Sequence, residues 1–123
     1  MISKKQPFSL KNRVRSFAYA IQGIKTLITG EHNTWIHLAA TIVVIVAAFL
    51  FHVSKLSWFM LTLAIAMVWI TEAINTAIEY LVDLTSPEYH PLAKKAKDVA
   101  AAAVLFAAIF AVVIGILVVF NER

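Results

Sequence analysis

The chain has 123 residues, 61% hydrophobic and 15% charged, with a mean hydropathy of +0.81. A soluble domain is about half apolar and about one quarter charged, so a water-soluble globule is excluded and one small integral membrane protein domain, residues 1–123, is expected. The absence of cysteine removes disulfides, thiolate zinc sites and thiol nucleophiles, and the net charge of +4 suits anionic lipid headgroups better than nucleic acid, because the apolar runs offer no solvated basic face.

Leu10, Val14, Phe17, Ile21, Ile24 and Ile28 recur at spacings of four and three, a helical stripe. Lys11, Arg13, Arg15 and Lys25 fall off it, which predicts an amphipathic surface helix over about 9–29, lying in the membrane interface with its apolar face down. Packing of the same face against the spans is the alternative. Gly30 is expected to close this helix, and Glu31-His32-Asn33 forms a polar hinge.

Three apolar runs follow: Trp35–Val53, Leu56–Ile70 continuing into Thr71–Val82, and Val99–Phe120. Each approaches the roughly 20 residues that a spanning helix needs, so spans are predicted over about 34–53, 56–84 and 94–120. The first long run begins too late for a signal peptide. Lys4, Lys5, Lys11, Arg13, Arg15 and Lys25 precede the first span, and Lys94, Lys95 and Lys97 sit between the second and third. The other two loops hold Lys55 and Arg123 alone, so the positive-inside rule puts the N-terminus and the Thr85–Lys97 segment in the cytoplasm.

The informative segment is Trp69–Asp83. Glu72, Asn75, Thr76, Glu79 and Asp83 lie at offsets of 0, 3, 4, 7 and 11, on one helical face. With about 1.5 Å of rise per residue, Glu72 lies about 24 Å in from Leu56. A carboxylate at that depth costs several kcal/mol and is a functional candidate unless it pairs with a cation, and no Lys or Arg lies in the apolar runs. Glu79, nearer the interface, could be solvated. His37 and His52, near opposite ends of the first span, read as interfacial or packing residues, and Trp69 as packing.

Ser86-Pro-Glu-Tyr-His-Pro91 is a stiff loop, followed by Lys94 and Lys97 at the cytoplasmic mouth of the third span. Alone these lysines are a positive-inside anchor. Beside a carboxylate stripe they resemble half of a Mg²⁺–nucleotide site, since carboxylates suit Mg²⁺ and lysines neutralise phosphoryl charge. Gly23, Gly30 and Gly115 are the three glycines, so neither a P-loop nor a kinase Gly-rich loop can be written.

Glu72-Ala-Ile-Asn-Thr-Ala-Ile-Glu79, Asp83, Glu88-Tyr-His90 and Ala96-Lys-Asp98 together strongly resemble the prokaryotic diacylglycerol kinase and undecaprenol kinase family of small membrane lipid kinases. The likeness runs from about Phe17 to the end. It implies an all-α membrane protein, three transmembrane helices plus the surface helix, in a homotrimeric bundle. Active sites shared between subunits would face the cytoplasm in a bacterial inner membrane, with Mg²⁺-ATP as donor. It assigns Glu72 as general base, with Asn75 beside it, and Glu31 and Glu79 as metal ligands that also face the nucleotide. Tyr19, Glu88, Tyr89, His90, Lys97 and Asp98 would line the nucleotide site, Lys97 toward the phosphates. The expected reaction is phosphorylation of diacylglycerol to phosphatidic acid, with undecaprenol as the alternative acceptor. The chain departs from the diacylglycerol kinase pattern at Asn12, which stands where that pattern has a substrate-contacting arginine and has Arg13 and Arg15 as neighbours, and at Val99-Ala-Ala-Ala102, which looks more like the undecaprenol kinase branch. An ion-conducting oligomer lined by Glu72 and Glu79 is the remote rival, and would leave Glu88-Tyr-His90 and Lys97-Asp98 without a role.

Overall fold

The computed structural model describes residues 7–123. Lys4 and Lys5, counted above among the N-terminal basic residues, lie outside the described residues. Four helices follow one another: α1 (Leu10–Gly30), α2 (His32–Leu50), α3 (Lys55–Thr85) and α4 (Pro91–Asn121). The chain divides into two units, one up to Glu31 and one from His32 onward.

In the first unit, Ser9 caps α1 by accepting from the backbone N–H of Asn12, which satisfies one of the orphan donors of a helix start. The helix ends at Gly30, but not by the expected glycine cap. No glycine has positive φ, and the chain leaves the helix through an extended Glu31 (φ −129°, ψ 126°).

In the second unit, α2, α3 and α4 are each long and apolar enough to cross a membrane. The 19 residues of α2 span about 28 Å, close to the hydrocarbon thickness of about 30 Å. The 31 residues of α3 and of α4 span about 46 Å, so both run well past that thickness.

The α2–α3 turn is made without glycine. His52 adopts a left-handed conformation (φ 49°). The Val53 N–H bonds the Ala48 carbonyl and the His52 N–H bonds that of Phe49, the paired bonds of a Schellman ending. Histidine tolerates this region better than most residues, so His52 has a backbone role that its sequence position did not disclose. Ser54 then caps α3, accepting from the Ser57 N–H. At the other end of the hairpin between α3 and α4, His90 Nδ1 accepts from the Leu92 N–H while Pro91 opens α4. Proline suits a first helical position because its missing N–H would be unpaired there anyway. The helix therefore starts at Pro91, ahead of the lysines.

Helix α3 packs along α4 and, over a shorter stretch, against α2. The core is a compact group of Ala48, Leu61, Ala64, Ile114 and Val118, with Val44, Trp58 and Ala111 around it. Phe49 of α2 meets Trp58 of α3 edge-on with ring centroids 4.8 Å apart, a preferred aromatic geometry. Most large apolar side chains of α2–α4 instead point outward, among them Ile42, Phe59, Ile74, Phe106 and Val112. A helix apolar all round belongs in a membrane or deep within a protein.

Candidate active site

Helix α3 carries a polar face into the bundle. Glu72 is 2% exposed, Asn75 7% and Thr76 4%, while Glu79, one further turn on, is half-buried. Measured from Lys55, Glu72 lies about 26 Å along the helix and Glu79 about 36 Å. The first is thus within the apolar thickness and the second beyond it.

Glu72 does have a partner within the spans. His37 of α2 brings Nε2 to 3.3 Å from Glu72 Oε2. The expectation that no basic group meets this carboxylate, and the reading of His37 as an interfacial or packing residue, are both corrected by this contact. Unlike lysine or arginine, an imidazole can face a carboxylate without carrying a permanent charge into the membrane. One turn away, Trp69 Nε1 donates to Thr41 Oγ1 at 2.9 Å, and Thr41 Oγ1 donates to the His37 carbonyl at 2.7 Å. Trp69 is therefore a hydrogen-bonding residue as well as a packing one.

Asn75 Nδ2 donates to Glu79 Oε1 at 3.1 Å. The carbonyl oxygen of Asn75 and the hydroxyls of Thr76 and Thr34 are buried with no hydrogen-bond partner. Thr34 is one turn from His37 on α2, and Asn75 and Thr76 are one turn from Glu72 on the antiparallel α3. The three orphans thus share a level beside the His37–Glu72 pair. Buried polar atoms are normally paired, and leaving one unpaired costs about 1–3 kcal/mol.

Two of the lysines of α4, Lys94 and Lys97, pair with carboxylates. Lys97 Nζ bonds Asp83 Oδ1 and so ties the start of α4 to the end of α3. Lys94 bonds Asp98 one turn on at 2.6 Å. Both pairs are largely exposed, and such pairs contribute little to stability. Glu88, Tyr89 and His90 lie on the exposed connection between α3 and α4. His90 already uses Nδ1 as a cap.

The remaining sequence candidates, Tyr19 and Glu31, belong to the first unit. Tyr19 is exposed on α1 and Glu31 is half-buried at its end. Within the second unit, the fold brings together Glu72, Asn75 and Glu79 on one face, and Asp83 with Lys97. Among the described residues, no group of three or more His, Asp or Glu side chains is placed to hold a metal ion.

At the opposite end of the bundle lies a cluster that the sequence did not reveal. The Glu122 carboxylate accepts from the Ser54 N–H at 2.7 Å, the Ser54 hydroxyl at 2.9 Å and the Ser57 hydroxyl at 3.0 Å. Asn121 Nδ2 donates to Ser57 Oγ at 3.0 Å and Ser54 Oγ at 3.2 Å. The Ser54 N–H and hydroxyl hold the Glu122 carboxyl below the usual carboxylate range, with smaller help from Ser57 and Asn121.

Residues 18–119 match the family model described as prokaryotic diacylglycerol kinase. The chain is 39% identical over 118 residues to an undecaprenol kinase of Bacillus subtilis, covering 96% of each chain. It is 45% identical over 105 residues to a diacylglycerol kinase of Synechocystis, covering 85% of this chain and 60% of that longer one. A diacylglycerol kinase of Escherichia coli is 32% identical over 100 residues, 81% of this chain and 82% of the relative. The chain belongs to the prokaryotic diacylglycerol kinase family and is a membrane lipid kinase of that family.

Proposed function

We propose that the protein transfers the γ-phosphoryl group of ATP to the primary hydroxyl of a membrane lipid at the cytoplasmic face of a bacterial inner membrane. The observation that carries this reading is the buried carboxylate of Glu72 within an apolar helix, followed on the same face by Asn75 and Glu79. Glu72 accepts the proton of the attacking hydroxyl, the part a general base plays. Lys97 offsets the negative charge of the phosphates once it exchanges Asp83 for them, and Asp98, Glu88, Tyr89 and His90 border the nucleotide. Phosphoryl transfer asks mainly for positioning and charge compensation, which a small helical bundle can supply.

Glu31 and Glu79 are the residues that would hold Mg²⁺. Their hard oxygens suit it, and Mg²⁺ commonly takes one or two carboxylates and leaves its other positions to water and phosphate, so a cluster of three protein ligands is not required. When bound, the ion would neutralise charge on the β- and γ-phosphates. The amphipathic α1 lies on the membrane surface, and three copies of the chain assemble with sites shared between neighbours. The outward-facing apolar side chains of α2–α4 suit both lipid and a second copy.

Diacylglycerol is the first acceptor to test. Undecaprenol is the second, favoured by the end-to-end match with the Bacillus subtilis relative. Initial rates on the two lipids in one mixed-micelle assay with Mg²⁺-ATP decide between them, and ion flux without label transfer would sink the kinase reading. In the same assay Glu72→Gln should lower turnover by about 10²- to 10⁴-fold, the usual weight of a general base, while nucleotide binding persists. Near-normal turnover would remove Glu72 from its role.

A further inference from the structure

We propose that His37 is the positioning residue for Glu72: the imidazole holds one carboxylate oxygen so that the other faces the acceptor hydroxyl. The inference rests on the reading of Glu72 as the base and extends it to a residue on another helix. His37 Nε2 lies 3.3 Å from Oε2, and the Glu72 side chain is 3% exposed, so bulk water does not orient it. A buried carboxylate free to rotate would sample rotamers that point away from the substrate, and a fixed one does not.

A second link joins the same two helices one turn away. Thr41, one turn past His37 on α2, bonds the His37 carbonyl and accepts from Trp69, one turn before Glu72 on α3. In an antiparallel pair these two links stack one above the other. Together they set both the axial register of α2 on α3 and the rotation that turns His37 toward Glu72. An oriented base whose partner sits on a neighbouring element is a recurrent arrangement in enzymes. A lysine in place of His37 would add a permanent charge inside the membrane, and an apolar residue would leave the buried carboxylate unpaired.

The test compares two variants of similar length and volume. Gln at position 37 keeps an amide that can reach the carboxylate, whereas Met keeps only the packing. Turnover and KM for ATP are measured in mixed micelles for the wild type, H37Q, H37M, E72Q and H37M/E72Q. H37M should lose about 10- to 100-fold in kcat, the range seen when groups that orient metal ligands are removed, with KM for ATP unchanged. H37Q should recover most of that loss, and H37M/E72Q should be no slower than E72Q.

Equal turnover in H37M and H37Q, or additive losses in the double variant, would overturn the proposal while leaving Glu72 as the base. Full turnover in E72Q would overturn the underlying reading and the proposal together. A second readout needs no His37 variant: the imidazole ¹⁵N resonances of His37 should move in E72Q, and unmoved resonances would count against the contact.

Discussion

The two ends of the α2–α4 bundle treat their buried hydroxyls in opposite ways. At one end the buried Ser57 hydroxyl bonds both Glu122 and Asn121, in a cluster that the exposed Ser54 completes. At the other, Asn75, Thr76 and Thr34 keep buried oxygens with no partner at all. A buried hydroxyl that is already paired has finished its work when the chain folds, because it has nothing left to offer a ligand. An unpaired one carries a standing cost that only a further group can relieve. The first is a device for joining helices, and the second belongs to the proposed site.

The largest effect expected from this contrast is at Ser57. Its hydroxyl is fully buried and bonds both Glu122 and Asn121. Ser57→Val should cost about 1–3 kcal/mol, because it removes the hydroxyl's hydrogen bonds to the Glu122 carboxylate and to Asn121. Thermal unfolding in detergent reads that loss. Turnover measured well below the melting temperature should stay at the wild-type level, and a selective loss of activity would break the division of labour between the two ends.

The sequence was informative where its signal is local. The polar face from Glu72 to Glu79 follows from spacings of three and four within one helix, and three apolar runs sufficed to expect three spanning helices. Contacts between helices depend on register, which no local pattern encodes. His37 meets Glu72 across 35 positions of sequence, and Glu122 meets Ser54 across 68. Neither pair has a spacing to betray it. The same limit applies to Lys97. In sequence it is a basic residue beside other lysines, whereas the fold places Asp83 of α3 against it. The turn at His52 was illegible for another reason: a left-handed residue is usually sought as glycine, and here histidine takes the position.

Thr76 offers the mirror image of the Ser57 experiment, with a smaller effect. Its hydroxyl is buried and unpaired, so the near-isosteric Thr76→Val removes an unsatisfied group rather than a hydrogen bond. Stability should hold or rise by up to about 1 kcal/mol, while kcat falls if the hydroxyl serves a bound group. Chemical or thermal unfolding beside an activity assay separates the two responses. A marked loss of stability would mean that Thr76 is paired, and the contrast between the ends would lose its basis.

The smallest effect concerns pH and the Glu122 carboxylate. Hydrogen bonds from Ser54 lower its pKa in the folded protein, with the backbone N–H the leading cause. The unfolded chain therefore binds a proton at this residue more readily than the folded one. Linkage then makes stability rise with pH wherever that difference is expressed. The contribution is complete above the ordinary glutamate value of 4.5 and fades as pH falls through the lower folded value. The carboxylate is exposed, so solvent and salt weaken the effect. Glu122→Gln keeps the shape and removes the titration. The wild type should melt above Glu122→Gln at pH 7, and the gap should narrow as the pH is taken below 4.5. A gap that stays constant across that window would show that the Glu122 contacts act through shape alone, and the cluster would then owe its strength to the serine and asparagine bonds.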